Sequence, residues 1–130
     1  MTEAPHLTSD DREELRERLE EEREKLVREY RSNVEREREV DFDQAGDLVD
    51  QALKSRGREE RFGLTQAERE RLILVEEALE RMEEGTYGIC LESDEPIPLE
   101  RLRAVPWARY TTRVQERKEE RPLEEGIEPS

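Results

Sequence analysis

A long run without glycine or proline, from Asp10 to Val40, restricts this chain to a helical design. Nearly every residue in the run is a good helix former. Its apolar residues recur at steps of four, seven and four, and they are Leu15, Leu19, Leu26 and Tyr30. This spacing predicts one apolar stripe along a highly charged helix. Because most helix stability in proteins comes from packing such a face, the helix requires a partner helix.

A second helix is predicted to begin near residue 47 or 48 and to end at about Glu84. Its apolar residues recur at steps of three, four and three, as in a coiled-coil seam, and they are Leu72, Val75, Leu79 and Met82. Packed antiparallel, the two stripes form a long helical hairpin over residues 9–84, with its tip near residues 41–52. The predicted fold class is therefore mainly α, with this hairpin as a projecting arm.

We expect the second helix to be continuous, with a weak point in its first half. Gly57 and Gly63 lie inside it, and each destabilises a helix by roughly 1 kcal/mol relative to alanine. The sequence Thr65-Gln66-Ala67-Glu68 leaves an alternative open, because it resembles a capping box. In that alternative the helix breaks near Gly63 and a new helix starts at the box.

The composition limits the partners of such an arm. The chain is 46% charged and only 32% hydrophobic, so it cannot fill a thick apolar core. Lys+Arg number 23 and Asp+Glu 37, which gives a net charge of −14. This charge repels phosphate, and binding to DNA through counterion release needs clustered cations. We therefore expect no sequence-specific DNA binding, and a protein or small-ligand partner instead.

The two ends of the chain are predicted to be flexible tails, over residues 1–8 and 122–130. His6 is expected to be inert, and Thr8 and the residues after it offer oxygens that cap the first helix. The chain has no signal-like or membrane-spanning run, which predicts a cytoplasmic protein without a membrane partner. A single cysteine excludes an intramolecular disulfide.

A small globular segment, residues 85–121, is predicted to follow the arm and to end in a short helix. It has the outline of a zinc ribbon, in which two Cys-x-x-Cys turns hold one tetrahedral ion. Here the four positions are occupied by Cys90, Ser93, Thr111 and Val114. One thiolate cannot hold a structural zinc, so no metal and no other cofactor is expected. We expect an apolar core to replace the metal, formed by Ile89, Ile97, Leu99, Leu102, Trp107 and Tyr110.

The order of parts resembles the DksA/TraR family of bacterial transcription regulators, over about residues 10–120. In the globular segment the resemblance rests on Tyr87, Gly88, Cys90, Ile97, Arg101, Leu102, Ala104, Pro106 and Ala108. At the hairpin tip it rests on Asp47-Leu48-Val49-Asp50-Gln51-Ala52, which matches the family's Asp-x-x-Asp-x-Ala. Both matches occur in the right order, and together they are specific for the family, with a degenerate, cysteine-poor zinc finger in this chain.

The resemblance implies a non-enzymatic regulator that binds RNA polymerase. Family members insert the hairpin through the secondary channel of the polymerase and alter the lifetime of open promoter complexes. They commonly act with the alarmone ppGpp in the stringent response, although no motif here selects residues that would bind it. Carried onto this chain, Asp47, Asp50 and Ala52 would be the tip residues that modulate the polymerase. We expect the protein to act as a monomer.

Two alternatives to this interpretation remain at the level of sequence. The first is a transcript-cleavage factor of the Gre type, which uses the same channel and acidic tips but lacks the Tyr87-Gly88-Ile89-Cys90 pattern. The second is a structural coiled-coil protein, in which Asp47 and Asp50 are ordinary acids favoured by the helix dipole. A stand-alone enzyme is not indicated, because the chain shows no nucleophile–base set and no phosphate-binding loop.

Overall fold

The computed structural model describes residues 4–38, 49–50, 53 and 63–120, with only the backbone given for residues 35–38. Its helices are α1 (Ser9–Arg38), α2 (Gln66–Glu84), α3 (Leu99–Ala104) and α4 (Thr112–Glu120), and residues 49, 50 and 53 are also helical. The described part has no strand beyond an isolated antiparallel bridge between Ile89 and Pro96. Within the same ranges no helix combines the length and the apolar character needed to cross a membrane.

Helix α1 starts where its capping residues predict. The hydroxyl of Thr8 accepts a hydrogen bond from the amide of Asp11 at 2.9 Å, and the Asp11 carboxylate accepts one from the amide of Thr8 at 3.0 Å. These two bonds satisfy amides that have no partner inside the helix. The predicted stripe is confirmed, because all four of its residues are buried, and Val27 and Val34 extend it.

Helices α1 and α2 pack antiparallel, as the two stripes predict. Arg71 bonds Glu22 at 3.2 Å near the middle of the pair, whereas the Asn33 amide donates to the carbonyl of Gly63 at 2.7 Å further along α1. The partner number thus falls from 71 to 63 as the position on α1 rises from 22 to 33, which is the antiparallel arrangement. On α2 the fully buried residues are Leu72, Val75 and Ala78, whereas Leu79 and Met82 of the predicted stripe are only partly buried.

The expectation of a continuous second helix is wrong, and the capping-box alternative is confirmed. Thr65 has extended backbone angles (φ −69°, ψ 169°) and is the N-cap of α2. Its hydroxyl accepts from the amide of Glu68 at 3.1 Å, and the Glu68 carboxylate accepts from the amide of Thr65 at 3.0 Å. The break is favoured because Asn33 holds the Gly63 carbonyl and Leu64 is buried against α1.

Two apolar clusters lie along the described chain. The base core joins the lower half of the arm to the globular segment, and its members include Leu15, Leu19, Val75, Ala78, Cys90, Ile97, Leu102 and Val114. The outer core lies further along α1, and it consists of Leu26, Val27, Tyr30, Val34, Val49, Leu64 and Leu72. Arm and globular segment therefore share one core at the base, whereas the outer half of the arm has its own.

The prediction of a flexible tail over residues 1–8 is wrong for the part that is described, residues 4–8. Ala4 and Leu7 are 1% and 4% exposed and belong to the base core. His6, expected to be inert, bonds the carbonyl of Ile97 through Nε2 at 2.7 Å. Residues 1–3 and the predicted tail 122–130 lie outside the described residues.

The globular segment wraps around the base core. Of its six predicted core residues, Ile97 and Leu102 are fully buried, and Ile89, Leu99, Trp107 and Tyr110 are partly buried and pack against the core. Helix α3 was not predicted. It begins directly after Pro98, whose carbonyl accepts from the amides of Arg101 and Leu102 at 3.0 and 3.1 Å. Helix α4 confirms the predicted C-terminal helix.

Candidate functional site

The first candidate site is the set of tip positions Asp47, Asp50 and Ala52, of which only Asp50 is described. Asp50 is helical and exposed. The preceding residue, Val49, is buried in the outer core together with Val34 of α1. Asp50 is therefore held on a packed backbone while its carboxylate faces solvent. Asp47 and Ala52 lie outside the described residues, so their predicted roles remain predictions.

The second candidate site is the former zinc site, whose four positions stay grouped in two turns. The first turn is closed by the amide of Cys90, which donates to the carbonyl of Glu95 at 2.8 Å, and by that of Asp94, which donates to the Cys90 carbonyl at 3.0 Å. A hydrogen bond of 2.9 Å from the amide of Leu91 to the carbonyl of Arg109 ties this turn to the second. The backbone outline of a ribbon is thus kept by hydrogen bonds.

The three positions without a thiol each have a structural role. The Ser93 hydroxyl donates to the Glu95 carboxylate at 3.3 Å and accepts from the amide of that residue at 3.4 Å. The Thr111 hydroxyl accepts from the amide of Val114 at 3.4 Å, which is the bond of a helix N-cap, and α4 begins at the next residue. Val114 itself is 1% exposed in the base core.

Cys90 is buried, and its sulfur is surrounded by backbone amides. The amide of Ser93 lies 3.5 Å from Sγ. Burial raises the pKa of the Cys90 thiol, but hydrogen bonds from the Ser93 side chain and from the amides of Ser93, Thr111 and Glu92 outweigh this effect and lower the pKa from 9.0 to about 7. Such amide donors stabilise a thiolate, as they do in Cys-x-x-Cys turns.

The residues present do not fit a structural zinc ion. Zinc in such sites takes four ligands from cysteine, histidine or carboxylate side chains. Here one position is a thiol, two are hydroxyls engaged in turn and cap bonds, and the fourth is the buried side chain of Val114. Across residues 4–120, wherever side chains are described, no group of three His, Cys, Asp or Glu residues is arranged to hold a metal.

Arginine side chains fasten the globular segment to the base of the arm. Arg109 makes a bidentate ion pair with Glu77 of α2, at 2.9 and 3.0 Å. Arg81 of α2 is buried, which lowers its pKa, and donates to the carbonyl of Ala108 at 3.4 Å. On the other side, Arg103 of α3 pairs with Glu14 of α1 at 3.3 Å. The orientation of the arm relative to the globular segment is therefore held from both helices.

Sequence reasoning missed the packed N-terminal residues and α3. For the first, the signal was an apolar residue, Leu7, directly before the N-cap Thr8, a pattern that often packs beside a helix start. For the second, it was Pro98 followed by six good helix formers (LERLRA). Both signals are short, and neither indicates where in the fold the element packs.

Comparison with known proteins identifies the family of the globular segment. Residues 85–120 match the family model described as the prokaryotic dksA/traR C4-type zinc finger. The match covers the described part of the globular segment, with its two turns and α3 and α4. The chain therefore carries a zinc finger of this type in which only Cys90 remains of the cysteines.

Two of the matches extend over most of the chain, and a third covers about a third of it. It is 37% identical over 105 residues to the RNA polymerase-binding transcription factor DksA of Caulobacter vibrioides, covering 76% of this chain and 69% of the relative. The structure of transcription factor DksA2 from Pseudomonas aeruginosa matches with a TM-score of 0.62 and 28% identity, over 94% of this chain and 93% of that one. General stress protein 16O of Bacillus subtilis is 50% identical over 48 residues, which is 37% of this chain and 29% of that protein. The chain belongs to the DksA/TraR family.

Proposed function

We propose that this protein is a non-enzymatic transcription regulator that binds RNA polymerase directly. The observation that carries the proposal is the similarity to an RNA polymerase-binding transcription factor over most of both chains, at 37% identity. The antiparallel arm and the globular segment on a shared core support it, because the matched DksA2 structure covers both parts. In this proposal the arm enters the secondary channel and the protein changes the lifetime of open promoter complexes.

The tip residues Asp47, Asp50 and Ala52 modulate the polymerase in this proposal. Charges act over about 8 Å at physiological salt, so a carboxylate must be carried close to its target. The exposed Asp50 beside the buried Val49 is suited to this, since the outer core fixes its backbone against α1. The surface of α1 supports a protein target, because exposed Glu13, Glu17 and Glu24 repel nucleic-acid phosphate.

The globular segment folds without zinc in this proposal, and the protein acts as a cytoplasmic monomer. The burial of Val114 and the capping bond of Thr111 support a zinc-free fold. The alarmone ppGpp is a co-regulator to be tested, since no described cluster of cations selects a site for it. Metal analysis of the purified protein checks the first point, and stoichiometric zinc would contradict it.

The test combines polymerase binding with the lifetime of open promoter complexes. Wild type and Asp50→Asn are compared by pull-down with purified polymerase, and then by complex decay with and without ppGpp. We expect both proteins to bind, and only the wild type to change the lifetime fully. Asp10→Asn is the matched control, because it removes the same charge from an exposed position at the other end of α1.

The outcomes test the proposed binding to RNA polymerase separately from the proposed role of the tip residues. Wild type that fails to bind polymerase contradicts the proposed function and favours a structural coiled-coil protein. Binding with equal effects of wild type, Asp50→Asn and Asp10→Asn contradicts the role of Asp50 alone. Cleavage of stalled transcripts by the wild type would indicate a Gre-type factor instead.

A further inference from the structure

We propose that residues 4–8, here called the clasp, replace the missing metal in holding the first turn of the globular segment. A structural zinc ties two turns together and contributes directly to folding. The clasp instead packs against the residues that flank the first turn and connects them to the start of α1. This inference goes beyond the proposed function, because it concerns folding and needs no polymerase.

The clasp packs on the backbone that precedes Cys90. Gly88 has a φ of +94°, and a Cβ at this position would lie 2.9 Å from Leu7 Cδ1 and 3.2 Å from Ala4 Cβ. Glycine is required here both for its positive φ and for the close approach of the clasp. Ala4 and Leu7 thus cover the strand-like residues that lead into the turn, in the same core as Cys90 and Ile97.

A polar contact fixes the clasp in register. The carbonyl of Ile97 only accepts hydrogen bonds, so the Nε2 of His6, 2.7 Å away, is the donor. The other ring nitrogen, Nδ1, is buried without a hydrogen-bond partner. The amide of Ile97 donates in turn to the carbonyl of Gly88 at 2.8 Å. The clasp therefore contacts both sides of the bridge that carries the first turn.

The other end of the clasp is rigidly connected to the arm. Arg12 of α1 donates to the carbonyl of Leu7 at 2.9 Å. Thr8 and Asp11 exchange the two capping bonds at the start of α1. A displacement of the first turn would consequently disturb the start of α1. The clasp thus links the globular segment to α1, whereas a zinc ion would link the two turns to each other.

The experiment measures hydrogen exchange at the Ile97 amide in buffer containing EDTA. We expect EDTA to leave the wild-type exchange rate unchanged. Leu7→Ala should accelerate it at least about tenfold, which corresponds to about 1.4 kcal/mol. Leu91→Ala is the matched control, since Leu91 lies in the same turn but is 52% exposed, and we expect its rate to stay at the wild-type value.

A second pair of variants keeps the test decisive if Leu7→Ala does not fold. His6→Ala removes the donor to Ile97 and should accelerate exchange, whereas His6→Gln keeps an N–H at a similar reach and should restore protection in part. The proposal is overturned if EDTA accelerates wild-type exchange tenfold or more. It is equally overturned if Leu7→Ala folds and behaves as Leu91→Ala does, or if His6→Ala leaves the rate unchanged.

Discussion

The base and the outer half of this protein are stabilised in different ways. The outer core is built mainly from the apolar stripe of α1, which is covered by Leu72 of α2 and by Val49 and Leu64, both outside these two helices. The base core draws on the clasp and on all four helices α1–α4, from Ala4 to Val114. The outer half therefore depends mainly on periodicity along α1, whereas the base depends on contacts between residues far apart in the sequence.

This difference supports the proposal that the globular segment folds without zinc, with one thiol left among its four ligand positions. The base core lies against two helices that already pack on each other, so it does not have to be stable alone. Ile97 and Leu102 are buried beside Leu15 and Leu19 of the arm. A small domain of this size normally needs a metal or disulfide because its own core is thin. In the proposed zinc-free fold, the core shared with the arm supplies the additional burial.

The largest expected losses of unfolding free energy come from truncating one fully buried leucine side chain in each core. Leu102→Ala in the base core and Leu72→Ala in the outer core should each cost about 2–5 kcal/mol of unfolding free energy. The single tryptophan, Trp107, packs against the base core and its fluorescence reports there, while circular dichroism mainly reports the arm. We expect Leu102→Ala to shift the fluorescence transition in urea and Leu72→Ala to shift the dichroism transition first. Coincident transitions in both variants would contradict the division into two cores.

A smaller effect is expected at the helix break in the outer half. Thr65→Ala removes one bond of the capping box and should destabilise the protein by about 1 kcal/mol. The loss should appear as lower helicity by circular dichroism and leave Trp107 fluorescence nearly unchanged. Thr86→Ala is a suitable control, because this exposed threonine closes the end of α2 through its backbone amide. An equal loss in both variants would argue against a capping role for Thr65.

The base should also become more stable as pH rises, because of Cys90. Its pKa is lowered from 9.0 to about 7 in the folded protein, so the unfolded chain binds more protons between these values. The contribution of the thiolate is complete above pH 9 and is lost as pH falls through 7. Urea midpoints of the wild type should rise over this range more than those of Cys90→Ala. Parallel pH profiles would exclude a stabilised thiolate.

The smallest effect is expected for the ion pair between arm and globular segment. A double-mutant cycle on Arg109 and Glu77 should give a coupling of about 0.2–1 kcal/mol, because both side chains are partly exposed. The pair of Arg113 and Glu95 is more exposed and serves as the comparison, with a coupling close to zero. Added salt should reduce the first coupling. A larger coupling at the second pair would contradict this ranking.

Much of the arm could be predicted from the sequence because its signals are local. The apolar steps in α1 and the Thr8 cap depend on residues within a few positions of each other, and both are confirmed. Local signals could not decide whether the second helix breaks before α2. The capping box at Thr65 competed with a continuous helix, and Asn33, which is distant in sequence, favoured the break.

The globular segment was predictable in outline only. The spacing of Cys90, Ser93, Thr111 and Val114 indicated a zinc finger without most of its ligands, and the match to the C4-type zinc finger model confirms the family. The structural roles that Ser93, Thr111 and Val114 have in place of metal binding could not be predicted from the sequence. Whether a threonine caps a helix or a valine enters a core depends on which elements surround it. Helix α3 shows the same limit, since its six residues carry too little periodicity to indicate a buried face.

The sequence by itself determined the helical arm, the loss of the zinc ligands and the family. These follow from residue type and short spacing, which act within one or two turns of helix or within one motif. The tertiary structure alone decided that Ala4 and Leu7 belong to the core and that the base is shared between arm and globular segment. His6 and Ile97 are 91 positions apart, and Leu7 and Gly88, which lie in contact, are also far apart in the sequence. Such contacts depend on the closure of a long loop, which leaves no periodic mark in the sequence.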